Sequence, residues 1–214
     1  MLQSIGLTTA FTLVWLAAYS ASLAAQPAAG DVDTKASRVY ILVDKTGLGH
    51  PHGVEGRLRS GSLKLDTNSS AGQIVFDMTT FVADTDEARK YVGLSGSTSD
   101  STKKQVNDNM LGADVLDVKS HPTATFDVDS ATPLAKKSAA GNPLYQLRGT
   151  FHLRGASQPL TVNAEAIAKG NATRLRGRFT IQQTKFGMKP YTAALGAVGV
   201  ADALTISGEI DVAK

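Results

Sequence analysis

LYQLRGTFHLRGASQPLTVNAEAIAKGNATRLRGRFTI, residues 144–181, contains three runs that alternate with period two. In the first, Tyr145, Leu147, Gly149, Phe151 and Leu153 fall on one face, and Gln146, Arg148, Thr150, His152 and Arg154 on the other. In the second, Leu160, Val162, Ala164, Ala166 and Ala168 share a face; in the third, Leu175, Gly177, Phe179 and Ile181 oppose Arg174, Arg176, Arg178 and Thr180. Successive side chains of a strand point to opposite sides, so each run is a strand with one apolar and one wet face. The links, 154–159 and 169–172, are short and rich in turn residues, which predicts an antiparallel meander. A meander with one greasy face has to close over it.

The flanking sequence supplies more strands. Val39-Tyr40-Ile41-Leu42-Val43 is apolar on both faces, which calls for a covered outer side. A glycine-rich turn, 47–53, leads to a second strand at 54–66, with a bulge or bend expected at Gly61-Ser62. A third strand spans 73–81. The alternation then lapses. At 86–91 and 101–111 hydroxyl residues precede good helix formers, and Val106 and Met110 would share a helical face, so one or two short helices ending near Gly112 are expected. Ala124, Phe126 and Val128 mark a fourth strand. After the meander, 182–202 is a glycine- and alanine-rich excursion containing Phe186, Tyr191 and Leu195. The last strand alternates Leu204, Ile206, Gly208, Ile210 and Val212 against polar residues. Eight strands, one helical insert and no βαβ rhythm predict an all-β fold: an eight-stranded antiparallel barrel, lipocalin-like in kind, whose closure removes exposed edges.

Composition narrows the partners. The chain is 42% hydrophobic and 19% charged, an ordinary globular balance. A net charge of +3, with arginines dispersed along strands, reads as a solvated surface and excludes a nucleic-acid groove as the expected partner. Residues 1–25 carry no charged side chain and centre on Leu13-Val14-Trp15-Leu16-Ala17-Ala18, followed by small residues at Ser22-Leu23-Ala24. This is the pattern of a secretory signal peptide without the usual basic residue near its start; a retained anchor is the alternative. Residues 26–32 read as a linker and 33–214 as the barrel domain. The absence of cysteine excludes disulfides and a lipid-modified cysteine anchor, and export without disulfides suits a bacterial periplasm.

The inward face decides between a filled and a hollow barrel. Gly149, Ala164, Ala166, Gly177 and Gly208 put small residues at the waist, and bulky residues flank them. That leaves an elongated apolar space, because interiors otherwise fill to high density; the alternative is that the glycines only relieve curvature. The residues expected to line this space and bind a ligand are Phe76, Met78, Phe126, Val128, Leu147, Gly149, Phe151, Ala164, Gly177, Phe179, Ile181, Phe186, Tyr191, Ile206 and Gly208.

Chemistry-bearing motifs are sparse. His50-Pro51-His52 places two imidazoles at i, i+2, a chelating spacing if a third ligand converges, but with four histidines in the chain they read as turn residues and no metal ligand is assigned. Asp84-Thr85-Asp86-Glu87 reads as helix-start carboxylates, and Asn107-Asp108-Asn109 as capping and loop chemistry. There is no nucleophile elbow, phosphate loop or recognisable triad, so no catalytic residue is assigned.

Three segments together resemble the YceI-like family: Ser37-Arg38-Val39-Tyr40-Ile41 with Gly53-Val54-Glu55-Gly56-Arg57-Leu58; residues 110–126, from Met110-Leu111-Gly112 to His121-Pro122 and Phe126; and residues 147–160, from Leu147-Arg148-Gly149 to Gln158-Pro159-Leu160. The resemblance runs from about residue 33 to the end. It implies a lipocalin-like periplasmic barrel holding a polyisoprenoid or similar long-chain lipid, with no cofactor beyond that lipid. Two departures stand out: the family's Arg-x-Asp-Phe-Gly corresponds to Gln183-Thr184-Lys185-Phe186-Gly187, and its His-Leu-Gly to Gly47-Leu48-Gly49-His50, with the order changed.

The expectation is therefore an exported, non-enzymatic binding protein for a hydrophobic small molecule, with transient membrane contact and a possible homodimer. Two rivals remain. One is a metal-dependent enzyme using His50 and His52. The other is a filled-barrel stress or interaction module, dimerising along Tyr40 and Leu42 on the outer side of the first strand.

Overall fold

The computed structural model describes residues 28–214, so the signal-peptide reading lies outside the described residues. The strands are β1 (Arg38–Gly47), β2 (His52–Leu63), β3 (Gly72–Ala83), β4 (Thr123–Lys137), β5 (Pro143–Leu153), β6 (Ala156–Lys169), β7 (Ala172–Gln182), the two-residue β8 (Thr192–Ala193) and β9 (Val198–Ala213). Each of β1 to β7 pairs antiparallel with its sequence neighbour, β7 pairs with β9, and β9 returns to pair with β1. The ring is thus eight strands, as the alternation predicts, with β8 a short addition against β9.

The meander has the tight turns its residues suggest. Leu153 pairs with Ala156, so the β5–β6 link is only Arg154-Gly155, both with positive φ (51° and 75°). Those are the backbone signs that fit the twist of a two-residue hairpin. Holding arginine there costs about 1–3 kcal/mol, and its guanidinium is tied across to the backbone carbonyls of Ala113 and Gly187.

On the outer face the arginines do more than meet solvent. β7 and β9 pair in a register that sets Arg174 opposite Asp211 and Arg176 opposite Glu209. Arg174 donates to both Asp211 oxygens at 2.6 and 2.9 Å and to Glu209 at 3.1 Å, while Lys169 reaches Asp211 at 2.6 Å. The outer side of β1 is covered as its sequence requires, and the cover comes from the chain itself. The helix α1 (Asp86–Tyr91) lays Tyr91 on Tyr40 with ring centroids 3.8 Å apart, and Tyr40 Oη donates to Glu87 at 2.6 Å. Tyr40 is therefore buried, which removes it from the dimer surface expected along that strand.

Several expectations are corrected. The irregularities of β2 fall between Glu55 and Arg57 and between Leu58 and Ser60, not at Gly61-Ser62, which stay in register with β3. Gly56 is where the chain needs a missing side chain, since a Cβ there would lie 2.4 Å from the Phe81 ring. Residues 30–32, read as linker, are bonded into the barrel: Gly30 N donates to Ala213 O, and Val32 bridges Val212. β9 begins at Val198, so the excursion ends earlier than 202.

Because the strands alternate in direction, the connections sort onto two ends. At one end the short links 64–71, 138–142 and 170–171 close over Leu63, Ala71, Val128, Ala131 and Val212, all buried. At the other end lie the β1–β2 turn, both helices, the β5–β6 turn and the 183–197 excursion. This second end is the open one.

Gly149 tests the account of the waist. It pairs with Val128 beside a register shift in β4, and a Cβ on it would stand 1.9 Å from the Asp127 carbonyl oxygen. Gly149→Ala is expected to destabilise the fold by about 3 kcal/mol, read as a lowered urea midpoint at unchanged slope.

Candidate functional site

A cavity of about 320 Å³ runs into the ring from the open end. Every strand of the ring contributes wall residues, and so do the helix α2 (Asp100–Leu111) and the turn after it. α2 forms because Ser99 caps its N-terminus, accepting from Thr102 N, and Gly112 ends it. The face bearing Val106 and Met110 turns onto the cavity, as their spacing predicts.

Twelve of the fifteen residues expected to line a hollow stand on this wall: Phe76, Met78, Phe126, Leu147, Phe151, Ala164, Gly177, Phe179, Ile181, Tyr191, Ile206 and Gly208. Three do not. Gly149 is small because β4's backbone presses on it. Val128 is buried at the closed end, where β4 pairs with Gly72. Phe186 packs edge-on against Phe151 at 5.7 Å, beneath the wall. The waist itself is open at Gly208, paired directly with Gly177: a Cβ on Gly208 would meet nothing nearer than Ile210 at 3.8 Å.

The wall is apolar along its depth. Its polar side chains, His50, His52, Thr102, Gln105, Asn109, Gln183 and Tyr191, all belong to open-end elements. The rim is fastened by Arg154, by Lys189 Nζ donating to Asp114 at 2.9 Å, and by Lys189 N donating to Asp114 O at 2.8 Å. Leu48 and Leu195, in the β1–β2 turn and the excursion, stand 85% and 110% exposed at the same end, and Leu48 N donates to Ala197 O.

Behind the rim lies a polar network that local sequence does not announce. Asp84, wholly buried, accepts from His52 Nδ1 at 2.7 Å, Thr98 Oγ1 at 3.0 Å, Arg89 Nη1 at 3.0 Å and Gly53 N at 3.2 Å. Arg89, also buried, is completed by the carbonyls of Ser95 and Gly96. Asp84 is thus not a helix-start carboxylate; Thr85 caps α1 instead, accepting from Ala88 N. Nor is Asn107 a cap: its Oδ1 accepts from Ala83 N, which docks α2 on β3, while Asn109 faces the cavity. Burial by itself would raise the Asp84 carboxyl, but hydrogen bonds and attraction from His52, with the bonds from Thr98 and Gly53, outweigh it. The group is held well below the usual carboxylate range. His50 stands beside His52 with ring centroids 4.6 Å apart.

A closed antiparallel ring with an apolar cavity, a helical cover and a polar rim defines a lipocalin-like barrel. The YceI-like domain model matches residues 31–212, and the chain belongs to that family. Among solved structures it is similar to BcnA of Burkholderia cenocepacia (22% identity, 85% of this chain and 99% of that one, TM-score 0.59). It is also similar to a polyisoprenoid binding domain of Saccharophagus degradans implicated in plant cell wall breakdown (12% identity, 87% and 100%, TM-score 0.56). At those identities the likeness is one of fold. No curated protein matches the chain by sequence. Among the described residues no helix is long and apolar enough to cross a membrane.

The depressed Asp84 carboxyl carries a pH dependence. Its folded value lies below the unfolded value of about 3.9, so the stabilisation is full above that value and is lost as pH falls through it toward the folded one. The urea midpoint should fall steadily below about pH 5. Asp84→Asn should cost about 3 kcal/mol at pH 7, because it leaves buried Arg89 without its counter-charge, and should flatten the acid decline.

Proposed function

We propose that the chain is an exported binding protein that holds a long-chain lipid of the polyisoprenoid kind, tail along the cavity and head at the open end near 187–202. The observation that carries this reading is the apolar cavity inside the ring, open at its waist beside Gly208. The ligand class is supported by the family and by the polyisoprenoid binding named for the Saccharophagus degradans domain. Export is supported by the charge-free apolar start of the chain and the lack of cysteine, and a periplasmic location follows from that reading.

Energetics favour a long chain. Each buried methylene contributes about 0.8 kcal/mol, whereas immobilising a ligand costs roughly 4–15 kcal/mol. About ten buried carbons only offset the lower part of that range, so selectivity for length follows from the cavity without any polar anchor. The reading is of binding rather than catalysis, in keeping with a wall whose polar groups sit only at the mouth.

Such a ligand resides in membranes, and the exposed Leu48 and Leu195 flank the opening through which it would pass. Leucines at a cavity mouth suit brief insertion among lipid chains.

Solvent extraction and mass spectrometry of the purified protein should find an isoprenoid-type lipid near one per chain; protein that neither carries a lipid nor takes up an added polyprenol refutes the reading. Gly208→Leu should reduce polyprenol uptake at least tenfold while the far-ultraviolet spectrum stays native. Leu48→Ser with Leu195→Ser should slow uptake from vesicles at least tenfold and leave uptake from detergent unchanged; equal slowing in both would sink the membrane-contact reading.

A further inference from the structure

Two imidazoles at the cavity mouth are unequal, and the inequality is informative. His52 is 8% exposed and stands on the cavity wall. Its Nδ1 is engaged by Asp84, so the ring is fixed in orientation. A hydrogen bond from Nδ1–H to a carboxylate leaves the lone pair on Nε2, and among the described residues no hydrogen bond reaches that atom. The fixing is stiff, because Asp84 is itself held by Arg89, Thr98 and the Gly53 amide. A need to bury Asp84 and Arg89 accounts for His52 but not for His50. His50 is exposed, hydrogen-bonds nothing among the described residues, and follows the i, i+2 rule onto the same side of the chain.

One ligand-capable atom each from His50, His52 and Asp84 lies within 4.8 Å of the others. We propose that His50 and His52 form a binding site for a divalent first-row transition ion of the zinc, nickel or copper type, with Asp84 orienting His52 rather than ligating. Imidazole nitrogen is the donor such ions prefer over the oxygen-seeking calcium and magnesium. A carboxylate behind a ligating histidine fixes its tautomer and ring orientation. Asp84 has no oxygen to spare: each one already accepts two hydrogen bonds. Both histidines line the cavity near its mouth, where water or an oxygen of a bound molecule can complete the ion's coordination. The site therefore stands apart from the lipid reading, and either can fail without the other.

The test uses the full chain after treatment with chelator and without added lipid. Calorimetric titration with Zn²⁺, and Co²⁺ read by its visible absorption, should both report one ion per chain. His50→Ala changes an exposed side chain and should keep the melting temperature while weakening Zn²⁺ binding at least tenfold. Asp84→Asn, where it folds, should weaken it by about 10- to 100-fold. His152→Ala should change nothing, because that imidazole is engaged on the outer face by Ser157 and Asp127. Zn²⁺ binding by the His50→Ala variant equal to that of the parent, or no binding by the parent, overturns the proposal.

Discussion

The pairing of β1 with β9 is the constraint from which the other features follow. A sheet with one apolar face and two free edges is unstable alone, since its edges carry unpaired amide and carbonyl groups and its apolar face stays wet. Register between β1 and β9 runs from Arg38 opposite Glu209 to Gly47 opposite Val198 and removes both faults at once. Outside the seam, Arg174 clamps β9 through Asp211 and Glu209, and Asp211 N donates to Ser37 Oγ just before β1. Closure turns every alternating apolar position inward, and those positions cannot all be filled. Gly177 faces Gly208 across a β7–β9 pair; Val162 packs into the space at Gly177, whereas a Cβ on Gly208 would meet nothing nearer than Ile210 at 3.8 Å, so the gap lies beside Gly208.

The two ends of the ring then diverge for a reason of chain length. Links of a few residues can only cross between adjacent strands, and the closed end is plugged by the strand residues beneath them. The long connections fall at the other end, where loops are free to carry function. The 84–122 insert is tied to the barrel at several points, among them the Tyr91–Tyr40 stack, Asn107 and a buried carboxylate. Asp84 gathers donors from β2, α1 and the segment between the helices, so it ties the start of β2 to the helical insert. A buried carboxylate is tolerable there because all its lone pairs are used and Arg89 neutralises it.

What the sequence displayed depended on the range of the interaction involved. Alternation is local, so the strands, the ring and twelve residues of the cavity wall were legible, as was the α2 face of Val106 and Met110. The roles of Asp84 and Gly149 were not. Asp84 sits in a run of acidic residues that reads as a helix start, whereas its partner His52 is 32 residues away and Thr98 is 14. Gly149 shares the period of Leu147 and Phe151, and only the bulge in β4, a matter of pairing, separates a glycine that opens space from one that admits a backbone. Phe186 lies in a segment without period, and its place against Phe151 depends on a 3-10 turn, Gln183–Phe186, that no alternation encodes.

The distribution of polarity along the cavity sets a direction that neither volume nor fold would. An amphiphile entering the ring head-first would bring its polar group to Phe126, Leu175 and Ile210, where no partner waits, and leaving a polar group unpaired in such surroundings costs on the order of 2–7 kcal/mol. Entering tail-first it keeps its head among His50, His52, Gln105, Asn109 and Tyr191. That difference would orient an amphiphilic occupant by a factor of about thirty or more, at 1.4 kcal/mol per decade. Orientation of this kind requires only that the polar wall residues gather at the open end and the depth of the ring be apolar. Most of that division is already present in the sequence, because every strand of a closed ring has a face to bury, although α2 in a connection also turns Val106 and Met110 inward and His52 belongs to β2.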